Sequence, residues 1–218
     1  MGSDIVIIGT GRHADVVFGI LNEFGENKRV LGFINADNEK KPQNNIVSCS
    51  PLLGNMTNIS ELKDLGAKFF HVACGDNKVR KELFTLAAES GLTPLTVIHP
   101  KAFISRSASI DTGSCICMGA IIGIKVLIHS GVIVNTGAII DHDCCVGAFS
   151  HIAPGVTIAG SVDIGVCTFV ATGARIVNNV KIGNNVIIGA GSVVLSDVPD
   201  AQTVAGVPAK SINKITMH

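Results

Sequence analysis

From residue 104 onward, the sequence repeats with a period of six residues. Isoleucine or valine occupies every sixth position through residue 194, sixteen times without a gap. This period matches neither the 3.6-residue helix nor the two-residue alternation of a simple strand. It matches a short strand followed by a turn, with each aliphatic side chain stacked on its counterpart one coil away. We therefore predict a hexapeptide β-helix of triangular coils rather than a sandwich of regular strands.

Residues 1–100 lack this repeat and alternate strand-like with helix-like patterns. This alternation predicts a small parallel α/β domain of the Rossmann-like type. The predicted architecture is therefore an α/β domain over residues 1–100 and an all-β helix with a C-terminal tail over residues 101–218. The α/β domain is assigned from four strand patterns, at 5–8, 29–34, 69–73 and 96–98, and from helical spacing at 14–21 and around Val79, Leu83 and Leu86.

Charge and cysteine usage exclude several functional classes. Lys plus Arg equals Asp plus Glu at 17 each, so no basic field is available for nucleic acid. No run of residues reaches the roughly 18 apolar positions that a membrane span needs, and the start of the chain has no signal-peptide pattern. The seven cysteines have no metal-binding spacing and read as buried thiols of a reducing compartment. We expect a soluble, cytoplasmic protein.

A glycine-rich turn follows the first predicted strand. The residues Gly9-Thr-Gly11 form half of a GxGxxG pattern, with Ala14 in place of its last glycine. Small residues allow a ligand to approach the backbone, and the helix N-terminus that follows attracts an anion. A nucleotide site is the favoured interpretation, and a turn that only needs glycine is the alternative.

Two further polar segments follow the other predicted strands. Asn35 and Asp37 could hydrogen-bond a ribose or a base, and the segment 75–80 ends a strand where open α/β sheets bind ligands. For Lys78 and Arg80, a solvated helix start remains an alternative.

The segment 135–155 concentrates ionisable residues in an otherwise apolar region. His142 lies between Asp141 and Asp143, and His151 follows nine residues later. An imidazole held by a carboxylate is oriented and made a stronger base, so His142 is a candidate general base at a corner of the coil. The pattern leaves open which aspartate reaches the ring. Zinc ligation by these four residues is the rival hypothesis, but no matching ligand set accompanies them, and we expect no metal.

The whole chain resembles a known family through six motifs. It is similar to the bacterial sialic-acid and UDP-amino-sugar O- and N-acetyltransferases, which are hexapeptide-repeat left-handed β-helix acyltransferases with an N-terminal nucleotide-sugar-binding domain. The resemblance implies a left-handed β-helix, a homotrimer, and acetyl-CoA as co-substrate in the groove between neighbouring β-helices. The motifs are GTGRHADVV at 9–17, GFINADN at 32–38, CGDNKVR at 74–80, IHPKAFIS at 98–105, NTGAIIDHDCCVGAFSHIAPG at 135–155 and AGVPAK at 205–210.

The same resemblance implies roles for individual residues. His142 matches the general base, Asp143 the acidic residue that raises its basicity, and His151 the histidine that meets acetyl-CoA. Thr172 and Ala190 fall where the backbone meets the pantetheine arm. The implied substrate-binding residues are Gly11, Arg12 and His13 in the first loop, Asn35 near the uridine, and Gly75 and Lys78 in the third segment.

The predicted function is acetyl transfer from acetyl-CoA to the amine of a nucleotide-linked 4-amino-4,6-dideoxysugar, with UDP the favoured nucleotide. His142 would act as general base for direct attack on the thioester. O-acetylation of sialic acid and a non-catalytic nucleotide-binding scaffold are the alternatives. Flat, weakly charged faces of the β-helix favour the homotrimer. The uncharged residues predicted to point outward are Thr136, Ala148, Ala153, Thr168 and Ala171.

Overall fold

The computed structural model describes residues 3–24, 28–36 and 50–212. The chain forms two compact units, Met1–Val97 and Ile98–His218, whereas the sequence analysis divided it at residue 100. Asp37 lies outside the described residues. A search of the described helices finds none with the length and apolarity needed to cross a bilayer.

The first unit is a parallel sheet with helices on both faces. Its elements are β1 (Ser3–Ile8), α1 (Arg12–Phe24), β2 (Lys28–Asn35), β3 (Leu52–Asn55), a 3₁₀ helix (Met56–Lys63), β4 (Phe69–Val72), α2 (Asn77–Glu89) and β5 (Thr93–Pro94). The strand order is β3-β2-β1-β4-β5. The chain thus adds strands on one side of β1 and then returns to the other side. This reversal between β1 and β4 is the point at which open α/β sheets bind ligands, beyond the carboxyl ends of the strands.

Both faces of this sheet are covered because β1 is apolar at successive positions. Val6 and Ile8 pack in the cluster that contains Leu83 of α2, while Phe18 of α1 contacts Phe33 with ring centroids 5.7 Å apart. Burying each such side chain stabilises the fold by about 2 kcal/mol.

Helix α2 has a different buried face from the one that the sequence suggested. Leu83 and Ala87 are buried, but Val79 and Leu86 are 38% and 50% exposed. Arg80 is buried instead. Asp76 caps the helix by accepting hydrogen bonds from the N–H groups of the second and third residues that follow it.

The second unit is a parallel β-helix of three sheets. The first sheet contains β7 (Phe103–Ile104), β10 (Ile121–Ile122), β13 (Ile139–Ile140), β16 (Thr157–Ile158), β19 (Arg175–Ile176) and β22 (Val193–Val194). The second contains β8 (Ser109–Ile110), β11 (Leu127–Ile128), β14 (Cys145–Val146), β17 (Asp163–Ile164) and β20 (Lys181–Ile182). The third contains β6 (Val97–Ile98), β9 (Cys115–Ile116), β12 (Ile133–Val134), β15 (His151–Ile152), β18 (Phe169–Val170), β21 (Ile187–Ile188), β23 (Thr203–Ala205) and β24 (Lys210–Ser211).

From β7 to β22, strands of the β-helix pair with the strand 18 residues away, as Ile122↔Ile140 and Ile140↔Ile158 show, whereas β21 pairs with β23 at a spacing of 16 residues. These three side chains are at most 1% exposed and stack along the axis of the coil. The six-residue period therefore corresponds to one side of a three-sided coil, as predicted. At the C-terminal end, β24 pairs antiparallel with β23.

Three of the residues predicted to point outward are buried: Ala153, Thr168 and Ala171. Thr168 occupies the small-residue position four after an inward isoleucine, and this position also faces the interior. Its Oγ1 donates a hydrogen bond to the Gly183 carbonyl at 2.7 Å, which satisfies the buried hydroxyl.

A buried histidine in the first unit makes its stability dependent on pH. His71 in β4 is 1% exposed, its Nδ1 contacts the Leu95 carbonyl at 2.9 Å, and its Nε2 has no hydrogen-bond partner among the described residues. Burial, reinforced by the charge of Arg80, lowers the pKa of His71 from its ordinary 6.5 to about 4.

We expect wild-type protein to lose stability as the pH falls from 6.5 toward 4, because the unfolded chain binds a proton there that the folded chain does not. The loss between pH 7 and pH 5 is about 2 kcal/mol from this group. Urea unfolding of wild type and His71→Asn at both pH values checks this. An equal loss in the two proteins would contradict the assignment to His71.

Candidate active site

The corner between β13 and β14 brings an imidazole and a carboxylate together. His142 Nδ1 lies 2.9 Å from Asp143 Oδ2, and the two side chains are 49% and 45% exposed. Asp143 has a left-handed backbone conformation with φ of 56°, which turns its carboxylate back toward the preceding side chain. Because a carboxylate accepts hydrogen bonds, Nδ1 carries the proton and Nε2 keeps its lone pair. The ring is therefore an oriented base.

The second aspartate of the motif has a different partner. Asp141 Oδ1 accepts a hydrogen bond from the backbone N–H of His142 at 2.8 Å, so Asp143 is the aspartate that contacts the ring. On its other side, Asp143 Oδ1 lies 3.9 Å from Lys125 Nζ. This lysine is one coil earlier, and its exposed ammonium group lies near the carboxylate oxygen that does not contact the histidine.

His151 occupies the outward face of β15 on the third sheet, not the corner of His142. Thr136 N–H donates to Asn135 Oδ1 at 2.8 Å, which fixes the orientation of the Asn135 amide. Its Nδ2 therefore faces His151 Nε2, at 3.2 Å. Because an amide NH₂ only donates, Nε2 is the acceptor and Nδ1 carries the proton. The His151 ring also packs edge-on against Phe169, with centroids 5.2 Å apart. It is thus held as a hydrogen-bond donor.

Thr172 and Ala190 lie at a third location, the corner that follows β18 and β21. Both residues are exposed, and they stack one coil apart, where Gly191 N–H donates to the Thr172 carbonyl at 2.9 Å. Within one chain, the predicted cofactor-binding residues are therefore distributed over a sheet face and a corner different from that of His142.

In the first unit, three loops meet beyond the carboxyl ends of the strands. Gly9 N–H donates to the Ile34 carbonyl at 2.8 Å, and Thr10 Oγ1 contacts Asn35 Oδ1 at 3.3 Å. A methyl group on Gly9 would lie 2.7 Å from the Ala73 carbonyl oxygen, so glycine is required where the loops after β1 and β4 touch. These contacts bring the ends of β1, β2 and β4 to one edge.

Five of the six predicted substrate-binding residues lie on these loops or on the helix starts that follow them, and Asn35 is the last residue of β2. Asn35 is buried, His13 is half-buried, and the remaining four are exposed to solvent: Gly11, Arg12, Gly75 and Lys78.

The Arg80 guanidinium organises the loop between β4 and α2. It is 1% exposed, and its Nη1 donates to the carbonyls of Cys74 at 2.9 Å and Gly75 at 3.3 Å. Its Nη2 donates to Asn77 Oδ1 at 2.8 Å. The solvated helix start considered for Arg80 in the sequence analysis is therefore wrong, because the side chain folds back under the loop.

Sequence patterns did not indicate Asn135, Lys125 or the buried position of Arg80. Counting by 18 residues would have found Lys125, which lies one coil before Asp143. The pairing of Asn135 with His151 depends on side-chain direction, for which the sequence offers no signal. As for metal binding, the described residues include no group of three or more His, Cys, Asp or Glu side chains that could hold an ion.

Known proteins resemble this chain over nearly its whole length. The family description of the PglD N-terminal domain matches residues 4–86. GDP-perosamine N-acetyltransferase of Escherichia coli O157:H7 is 30% identical over 97 residues, a match that spans 44% of each chain. A histidine-to-alanine variant of GDP-perosamine N-acetyltransferase from Caulobacter crescentus, solved with CoA and GDP-perosamine, is 36% identical over 98% of both chains, with a TM-score of 0.90. The chain belongs to the bacterial nucleotide-amino-sugar acetyltransferases.

A second solved structure supports this family. The acetyltransferase domain of PglB from Neisseria gonorrhoeae, in complex with acetyl coenzyme A, is 33% identical over 97% of this chain and all of that domain, with a TM-score of 0.87. Membership of the nucleotide-amino-sugar acetyltransferases confirms three predictions: the acyltransferase class, the N-terminal α/β domain and the C-terminal left-handed parallel β-helix.

Proposed function

We propose that this chain transfers the acetyl group of acetyl-CoA to the amine of a GDP-linked 4-amino-4,6-dideoxysugar. The observation that carries the proposal is the exposed His142–Asp143 pair, with Nδ1 and Oδ2 2.9 Å apart, in a chain of this family. The sequence favoured UDP, but the relative that spans 98% of both chains is a GDP-perosamine enzyme, so GDP is the nucleotide we propose. The cytoplasm, which supplies acetyl-CoA and nucleotide sugars, is the proposed compartment.

The proposed reaction needs one base and no covalent intermediate. The sugar amine attacks the thioester carbonyl carbon while His142 Nε2 takes a proton from the nitrogen. The carbon–sulfur bond then breaks, and the imidazolium returns the proton to the departing CoA sulfur. The products are one amide and one free CoA thiol. Asp143 keeps the proton of the resting ring on Nδ1, so that the lone pair on Nε2 is available for the amine.

The proposed cofactor-binding residues have groups that suit the thioester and the pantetheine arm of acetyl-CoA. Asn135 orients the His151 ring, and an imidazole beside the thioester oxygen suits the negative charge that develops there during attack. The backbone of Thr172 and Ala190 would contact the pantetheine arm. Within one copy of the chain, His142 and these residues occupy different parts of the coil. We propose that His142 of one copy faces these residues of a neighbouring copy, so that acetyl-CoA binds in the groove between the two.

A thiol-release assay with acetyl-CoA and four acceptors tests the proposed function. The acceptors are GDP- and UDP-linked 4-amino-4,6-dideoxysugars and their 4-hydroxy counterparts. We expect CoA release with the GDP-linked amine at the highest kcat/KM. Preference for the hydroxyl acceptors would establish O-acetylation, and no release with any acceptor would support the non-catalytic scaffold.

The two units are proposed to divide the work, with nucleotide-sugar binding in the first and acetyl transfer in the second. A fragment of residues 98–218 should fold, because each coil packs mainly on its neighbours. Calorimetry should find acetyl-CoA affinity near that of the full chain and nucleotide-sugar affinity reduced by about 10-fold or more, because the proposed nucleotide contacts are absent. Unchanged nucleotide-sugar affinity would assign the first unit another role.

We also propose that the β-helix forms a homotrimer. Three side chains in register on the outer face of the first sheet are apolar and exposed: Phe103 at 66%, Ile121 at 40% and Ile139 at 37%. Burying such a strip against another copy removes apolar surface from water, and a closed ring leaves no open end. Light scattering at micromolar concentration should give three times the chain mass of 22.6 kDa. A particle of one chain mass would contradict the shared acetyl-CoA groove.

A further inference from the structure

The glycine one coil beyond His142 has an unusual neighbour. A methyl group built on Gly160 would meet the His142 ring, at 2.5 Å from Nε2 and 3.0 Å from Nδ1, with Cε1 also in contact. All three of its nearest atoms belong to this imidazole. The Nδ1–Cε1–Nε2 edge of the ring therefore occupies the space that a side chain at position 160 would fill.

Other glycines of the β-helix are required for different reasons. Added methyl groups on Gly123, Gly147 and Gly165 would meet backbone atoms of the next coil within 3.0 Å. Gly137 and Gly155 have left-handed φ angles of 65° and 67°, which disfavour other residues. Gly160 has neither constraint, since its φ lies outside the left-handed region and no backbone atom is among the nearest neighbours of its added methyl.

We propose that Gly160 is a positioning residue for the base, an inference that rests on the proposed function. The missing side chain lets the imidazole lie against the next coil, so that a single ring position satisfies both the hydrogen bond to Asp143 and the placement of Nε2. At the same corner, Ile124 lies one coil before His142 and Asn178 one coil after Gly160, so the absence of a side chain beside the ring is specific to position 160.

An added methyl group at position 160 must displace the ring, because the two would overlap. Displacement on the order of 1 Å moves Nε2 away from the amine and strains the bond to Asp143, and misplacement of that size lowers catalytic rates by up to about 10²-fold. The effect should appear in kcat and leave acetyl-CoA binding nearly unchanged, since the ring is not proposed to hold the cofactor.

A double-mutant cycle on the full-length protein tests this. Gly160→Ala, His142→Ala and the double variant are compared for kcat, for the KM of both substrates and for thermal stability. We expect Gly160→Ala to lower kcat at least about 10-fold in the presence of His142, and to have little further effect in the His142→Ala background. Gly19→Ala is the control, because its added methyl meets nothing within 4 Å.

The outcomes separate the inference from the proposed function. Near-wild-type kcat in Gly160→Ala, or an equal loss in both backgrounds, would overturn the positioning role while leaving the base assignment intact. An equal loss accompanied by a lower melting temperature would identify Gly160 as a structural residue. If wild type transfers no acetyl group to any nucleotide amino sugar, the proposed function itself fails.

Discussion

Replacing His142 by alanine is expected to lower kcat on the order of 10²-fold or more, with acetyl-CoA affinity nearly unchanged. In the proposed mechanism the imidazole supplies the lone pair that removes the proton of the amine, and no other described base contacts Asp143 in the same way. The ring is half exposed and its proposed role is in the proton transfer, so its removal should affect the chemical step rather than cofactor binding. Steady-state kinetics with a nucleotide amino sugar, together with calorimetry of acetyl-CoA binding, checks both parts.

Asp143→Asn should lower kcat less than His142→Ala does. The carboxylate only accepts hydrogen bonds, so it requires the proton of the ring to be on Nδ1. An amide can also donate, so it permits the tautomer with the proton on Nε2, which has no lone pair there. A fraction of the rings then presents no base to the amine.

The chain contains a matched control for both variants. His129 Nδ1 lies 3.2 Å from Asp111 Oδ2, and these side chains are 47% and 48% exposed, much like the pair at His142. His129→Ala and Asp111→Asn should leave kcat within about 2-fold of wild type, as surface changes away from a site usually do. A loss at His129 as large as that at His142 would show that removing any exposed histidine of the coil inactivates the protein.

The second large effect is expected for Arg80→Met. The buried guanidinium donates to two loop carbonyls and to Asn77, and losing these charge-assisted bonds should destabilise the first unit by about 3 kcal/mol. The loop that carries Gly75 and Lys78 would lose its fixed shape. We therefore expect the KM for the nucleotide sugar to rise about 10-fold or more, with the KM for acetyl-CoA unchanged.

Arg29→Met is the control for this variant. Arg29 pairs with Asp4 at 2.9 Å and its side chain is 68% exposed, so its removal deletes an arginine without touching the loop. Arg80→Lys should recover part of the nucleotide-sugar affinity, because an ammonium group can still donate to one or two of the carbonyls. A rise in the KM of both substrates in Arg80→Met would contradict a role confined to the loop, and a lower kcat with both KM values unchanged would indicate loss of folded protein instead.

The β-helix was predictable because its signal is repetitive. One inward isoleucine carries little information, but a strict six-residue period leaves few folds that could bury all the aliphatic side chains, and the pairing Ile122↔Ile140 follows from it. The direction of smaller side chains was less predictable. Thr168 follows the inward pattern although its hydroxyl group suggested the surface, because a carbonyl one coil away satisfies it.

The candidate site was predictable in its residue types and less so in its geometry. His142 and the two aspartates are adjacent in sequence, but only the left-handed backbone of Asp143 determines which carboxylate reaches the ring. The contributions of Asn135 and Arg80 depend on contacts made after folding. Burial of a guanidinium under its own loop contradicts the usual exposure of arginine, so composition and periodicity could not suggest it.

The most direct test of the account is a single-turnover measurement. Enzyme in excess is mixed with acetyl-CoA and a GDP-linked 4-amino-4,6-dideoxysugar, quenched at short times and analysed for amide and free CoA. Wild type should form one amide for each CoA released, with no release when the amino sugar is omitted. His142→Ala should do so on the order of 10²-fold more slowly. Amide formation by His142→Ala at the wild-type rate, or CoA release without an acceptor, would contradict direct attack assisted by this base.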